Sequence, residues 1–215
     1  MPRNLAELAR AALTARDTQG ADGVYVMPAH LDSTTGAAVG DVCVRDDLGF
    51  VVLSHRRKDG LFGDEFYFST RQDDGSWWEA DHLSGDVMEV DPTSPRDVAR
   101  ILNGRSLAPF GEWVTPLLTG RPGTDDGYEP VRLHEFLVDG AADHLAVENT
   151  SAEADPTRGR VQKPLLSQVA LLALFPGERV TIRAMAGKGS DAHPLGEPYE
   201  LTGPDIDPDT GQGAW

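Results

Sequence analysis

The 215-residue chain is short of cysteine, of positive charge and of long apolar runs, and each shortage removes a class of protein. Cys43 is the only cysteine, so no internal disulfide can form and an oxidising compartment adds nothing to stability. Lysine and arginine number 19 against 35 aspartates and glutamates, a formal net charge of −16. That sign opposes a nucleic-acid backbone and an anionic bilayer, so neither is expected as a partner. A basic or cationic partner, or a divalent cation, suits it better. The longest apolar run, Val169 to Phe175, is strand-sized, well short of the roughly 20 residues that cross a bilayer. Glu7, Arg10 and Arg16 interrupt the apolar residues of the N-terminus, so it lacks the core of a secretory signal, and the cytoplasm is the expected location. Complete catalytic or phosphate-binding signatures are missing as well: no G-x-S-x-G elbow, no phosphate loop, and no G-x-G-x-x-G after a strand.

What is present is ordinary globular material. A 40% hydrophobic content is enough to bury a core, so disorder of the whole chain is not expected. Leu5, Leu8, Ala12 and Leu13 fall at helical spacing, with Asn4 as N-cap and Glu7 in the capping-box position. An N-terminal amphipathic helix is therefore expected within 1–20. A first β region follows over 21–92, in which short apolar runs alternate with turns. Its best hairpin signal is DEFYFSTR and SWWEADH on either side of Asp73-Asp74-Gly75. Ser94, Pro95 and Asp97 open a short helix near 95–103, which Asn103-Gly104 stops. The rest of 93–130 reads as a connection rich in glycine and proline, and 119–130 as a linker or surface loop. A second β region spans 131–202. It includes an alternating strand at Val131–Val138 and a hairpin, ALFPGERVTIRA, whose strand grammar resembles that of bacterial Ig-like sandwiches and carries no functional residue. Residues 203–215 form an acidic tail. The fold class expected is mainly β, an antiparallel β-sandwich or open barrel of Ig-like or Greek-key type. One two-sheet domain and two small domains fit the pattern equally.

Several strings approach a chemistry without completing it. HEFLVDGAADH places His134, Glu135 and His144 near the pattern of a zinc-protease helix, but Val138 stands where the second histidine belongs. Asp205, Asp207 and Asp209 alternate as the oxygen donors of a calcium loop do, so Ca²⁺ is a candidate ligand, although Thr210 occupies the position where such a loop needs glycine. Cys43 and His55 lie on successive strand-like runs and are a candidate thiol–imidazole pair; a small buried core cysteine is the simpler reading. Aromatic residues concentrate between Phe62 and Trp78. On a pleated strand, neighbours such as Trp77 and Trp78 point to opposite faces, so part of this set belongs outside the core. Phe62, Tyr67, Arg71, Trp77 and Trp78 are accordingly the candidate partner-binding residues.

The expectation is a non-catalytic binding or regulatory module on a β scaffold, engaging a protein partner or itself. The alternatives are an enzyme whose site draws on His30, His55, His82 or His134, and a structural subunit of a larger assembly. A cleft gathering two or more of those histidines would favour the enzyme.

Overall fold

The computed structural model describes residues 5–18, 36–121, 125–151 and 160–205. Among the described residues the chain is mainly β, with three antiparallel sheets and two α-helices. It divides into two compact units, Met1–Val98 with Leu166–Leu171, and Ala99–Leu165 with Leu172–Trp215.

The first unit is one helix on one sheet. Helix α1 (Leu5–Thr18) is followed by β1 (Ala37–Arg45), β2 (Leu48–Arg56), β3 (Phe62–Thr70) and β4 (Asp81–Met88), which pair in chain order. The first hairpin turns at Asp46-Asp47, with Asp46 at a φ of 54°. A bulge between Val39 and Asp41 inserts one residue into β1. That shift lets Val39 and Val42, three apart, both join the core cluster beneath α1. The same cluster holds Ala9, Ala12 and Leu13 of the helix, Val51 and Leu53 of β2, Tyr67 of β3, and Trp77. Close approach requires a glycine beneath the helix: a Cβ on Gly49 would lie 2.5 Å from a methyl of Leu13 and 2.9 Å from the Trp77 ring.

The hairpin signal at Asp73–Gly75 forms a turn, with Gly75 at φ 83°, yet the flanking segments do not continue as paired strands. One bridge joins Arg71 to Trp77, and regular pairing resumes only at Asp81. Trp77, the residue that makes this bridge, turns its side chain into the core.

Helix α2 (Pro95–Leu102) begins at Ser94, whose hydroxyl accepts from the Asp97 N–H at 3.4 Å, and is stopped by Asn103 and Gly104, both at positive φ. The second unit then builds two sheets. Strands β5 (Leu107–Leu118) and β6 (Tyr128–Val138) form a long hairpin, joined on the β6 side by β9 (Val169–Leu174), of which Leu172–Leu174 belong to this unit. Strands β7 (His144–Asn149), β8 (Arg160–Pro164), β10 (Arg179–Ala186), β11 (His193–Pro194) and β12 (Tyr199–Thr202) make the other sheet, with β12 also paired to β10.

The stretch 119–130, expected as a linker or surface loop, holds the loop between β5 and β6, with 128–130 already in β6. The Thr119 and Gly120 N–H groups both donate to Gly127 O, at 2.9 and 3.1 Å. Arg121 braces the loop by pairing with Glu129 at 3.3 Å and stacking 3.9 Å from the Phe175 ring centre. One sequence expectation is corrected: the string ALFPGERVTIRA is not a hairpin of paired strands. Its turn carries the chain from one sheet to the other, because β10 finds its partners in β7 and β12. The two sheets of this unit meet where the Phe136 and Tyr199 rings stand 5.1 Å apart, edge to face.

Candidate functional site

The aromatic hairpin is largely interior. Tyr67 and Trp77, expected on a recognition surface, are 8% and 2% exposed, because α1 covers their face of the sheet. Asp17, at the end of α1, secures that cover. It receives Arg71 through two parallel bonds of 2.7 and 2.9 Å and the Trp77 indole N–H at 2.6 Å. The Arg71 guanidinium also lies over the Trp77 ring, 4.3 Å from its centre, so Arg71 is committed to this unit's own structure. Phe62 is half-buried, with Arg56 above its ring. Trp78 alone of the pair is open, at 58% exposure, beside exposed Glu79 and Asp81.

Other candidates separate in space. Cys43 is buried and pairs across the ladder with Phe50, whereas His55 pairs with Ala37 at the far end of the same hairpin, so no thiol–imidazole pair exists. His134 and Glu135 lie on strand β6 and His144 on β7, not on one helix face, and the zinc-protease geometry does not arise. Asp205 is exposed; Asp207 and Asp209 lie outside the described residues, as does His30. Among the described residues, no three His, Cys, Asp or Glu side chains form a group that would hold a metal ion.

Two polar arrangements emerge that the sequence did not announce. In the first unit Glu65 receives two imidazoles, His55 Nε2 at 3.1 Å and His82 Nε2 at 2.6 Å. The cross-strand pairing explains it: Leu53 pairs with Glu65 and Tyr67 with His82, which places all three polar residues on the α1-facing side of the sheet, beyond the apolar core. Gly85 makes room, since a Cβ there would lie 2.6 Å from a Glu65 oxygen.

In the second unit a cleft of about 340 Å³ opens between β5, β6 and β12. Register sets its wall: Glu112 pairs with His134 and Val114 with Arg132, so Glu112, Arg132 and His134 share one face. Arg132 Nη1 donates to Thr202 O at 3.1 Å, which pins the guanidinium to β12. Glu112 stands 3.5 Å from Arg132 Nε and 3.7 Å from His134 Nδ1, too far for hydrogen bonds. Burial pushes the His134 pKa below its ordinary 6.5; Glu112 and the Thr202 backbone oppose that shift and Arg132 adds to it. His134 Nε2 and Arg132 Nε are buried without a partner at hydrogen-bonding geometry. The cleft holds one histidine and no second.

The alternation of Arg132 and His134 on one face of β6 was readable from the sequence. Their meeting with Glu112 and Tyr199 was not, because β5 and β12 come from segments with no strong strand signal.

No family model, no curated protein and no solved structure matches the chain. Among the described residues, no helix is long and apolar enough to cross a membrane.

Proposed function

We propose that the chain is a non-catalytic binding module that takes a basic, extended protein segment along the outer edge of β4. The observation that carries this reading is the edge itself. Among the described strands β4 pairs only with β3, and Trp78 and Val87, exposed at 58% and 45%, flank it. Asp86 Oδ1 accepts from the Val87 N–H at 2.7 Å, the place a partner's carbonyl takes when a strand is added to a sheet. Charge favours a basic partner: from Gln72 to Pro95 there are seven acidic residues and no lysine or arginine. The test is calorimetric titration of the full chain with a synthetic peptide of alternating lysine and valine. Binding that weakens with salt, and that Trp78→Ala abolishes at unchanged melting temperature, is the expected result. Absence of binding at low ionic strength sinks the reading, and a dimer mass in size exclusion with no peptide binding replaces it with self-association.

One observation favours an enzyme instead, the Glu65 carboxylate shared by His55 and His82, since general acid–base chemistry uses such pairs. Ester hydrolysis by the chain that is lost in Glu65→Gln would support that reading.

A further inference from the structure

The charges in the cleft of the second unit do not close on each other. Arg132 is held at Nη1 by Thr202, its backbone O at 3.1 Å and its Oγ1 at 3.5 Å, and its Nε is buried without a hydrogen bond. Glu112, with its side chain 56% exposed, makes only the two long contacts, 3.5 Å to Arg132 and 3.7 Å to His134. Of the five guanidinium donors, those of Nη1 go to Thr202 and that of Nε is buried, which leaves the two of Nη2 for a ligand. Arg132 Nε and His134 Nε2 are buried without a hydrogen bond of good geometry, so the wall of the cleft is polar and not closed on itself.

From this arrangement we infer that the cleft is a binding site for a small zwitterion, an α-amino acid with an apolar side chain. Its carboxylate takes the free edge of Arg132, its ammonium takes Glu112, and its side chain lies against Phe110, Phe136 and Tyr199, which line the same cleft. The charge of the ligand follows from the wall. A simple anion meets Glu112 and Glu200 as well as the chain's net charge of −16, and a simple cation meets a guanidinium that cannot withdraw from Thr202. A zwitterion carries no net charge, and its two ends match a carboxylate and a guanidinium that stand side by side but unbonded. Size agrees: about 340 Å³ lies at the small end of ligand sites, which run from roughly 300 to 1,000 Å³. This site is on the second unit and independent of the β4 edge.

The experiment is calorimetric titration of the full chain with L-phenylalanine and L-leucine, beside the N-acetyl and methyl ester forms of each. Those forms keep the body of the ligand and remove one charge apiece. Both free amino acids bind at millimolar concentration or below, and each capped form binds at least about tenfold more weakly, the loss of one charge-assisted bond. Glu112→Gln weakens the free amino acid and strengthens the anionic N-acetyl form; Arg132→Gln weakens the free amino acid and strengthens the cationic methyl ester. Circular dichroism and melting temperature confirm that both variants fold. Binding of the N-acetyl form as strong as that of the free amino acid overturns the assignment, and so does the absence of any heat from either amino acid.

Discussion

Each unit places a carboxylate, an arginine and an aromatic or imidazole ring together, and the two clusters behave oppositely. In the first unit Asp17, Arg71 and Trp77 are closed: both guanidinium Nη atoms reach the carboxylate within 2.9 Å, and the indole N–H reaches it at 2.6 Å. In the second, Glu112, Arg132 and His134 stay at 3.5 and 3.7 Å with buried polar atoms unpaired. The residue types are alike; what differs is whether the carboxylate is carried by an element that the core already fixes. Asp17 ends a helix nailed down by Ala9, Ala12 and Leu13, so its position is set before the ion pair forms. Glu112 rides on β5, where its side chain faces solvent. The closed cluster is architecture, and the open one has capacity to spare for a ligand.

The sharpest way to break this comparison is to empty the closed cluster. Trp77→Ala removes a fully buried indole together with its bond to Asp17, and such truncations cost about 3–5 kcal/mol. A urea midpoint shifted by less than a third of that would show that Trp77 is not the keystone of the first unit. Asp17→Ala follows. It leaves the Trp77 N–H without its acceptor and Arg71 with only Gly75 O, at 3.2 Å, in hydrogen-bonding reach, an effect of about 1–3 kcal/mol. Loosening of α1, read by amide exchange at Ala9 and Leu13, should accompany it, while exchange in β7 and β10 stays unchanged.

These two residues also mark what the sequence made legible. The amphipathic helix was plain from Leu5, Leu8, Ala12 and Leu13, and the strands of the first sheet from their turn-bounded apolar runs, because both are local periodicities. The division of Trp77 from Trp78 between core and solvent was expected in kind. Which faced inward depended on α1 docking over Gly49, a contact between distant segments. Asp17 gave no signal, since a carboxylate near a helix end is commonplace until Arg71 arrives from 54 positions away. The same limit hid β5. Pro109 and Gly111 read as loop, yet among the described strands β5 has a neighbour only on its β6 side, and an edge strand tolerates prolines that lack an N–H. The turn at Pro176-Gly177 looked like a hairpin because turn chemistry does not reveal whether the next strand pairs with the last or crosses to another sheet. The candidate cleft was the least legible, being assembled by register between β5 and β6 and by the return of β12.

A pH series sharpens the comparison at intermediate size. The folded pKa of His134 is pushed below its ordinary 6.5, chiefly by burial, so the fold favours the neutral ring. The unfolded chain therefore binds the proton more readily, and stability falls as pH drops below 6.5 toward the folded pKa. Above 6.5 the ring is neutral in both states and adds no slope. Comparing urea midpoints of the native chain and His134→Gln from pH 7.5 to 5.5 isolates this contribution, since the other groups titrate in both. The native chain should lose more stability on acidification, by at most about 1.4 kcal/mol per pH unit. Equal slopes would mean that His134 is solvated and the cleft looser than described.

The smallest expected effect is the most telling. Glu112→Gln removes one charge from an exposed side chain that makes no hydrogen bond, so the melting temperature should hardly move, a change within about 0.5 kcal/mol. Set beside Asp17→Ala, the contrast tests whether an ion pair's geometry foretells its worth. If Glu112→Gln destabilised the fold as much as Asp17→Ala, the long contacts would close in solution, Arg132 would need its carboxylate for structure, and the cleft would have nothing to offer a second charge. If the substitution is silent for stability, Glu112 is free to be spent on something other than the fold.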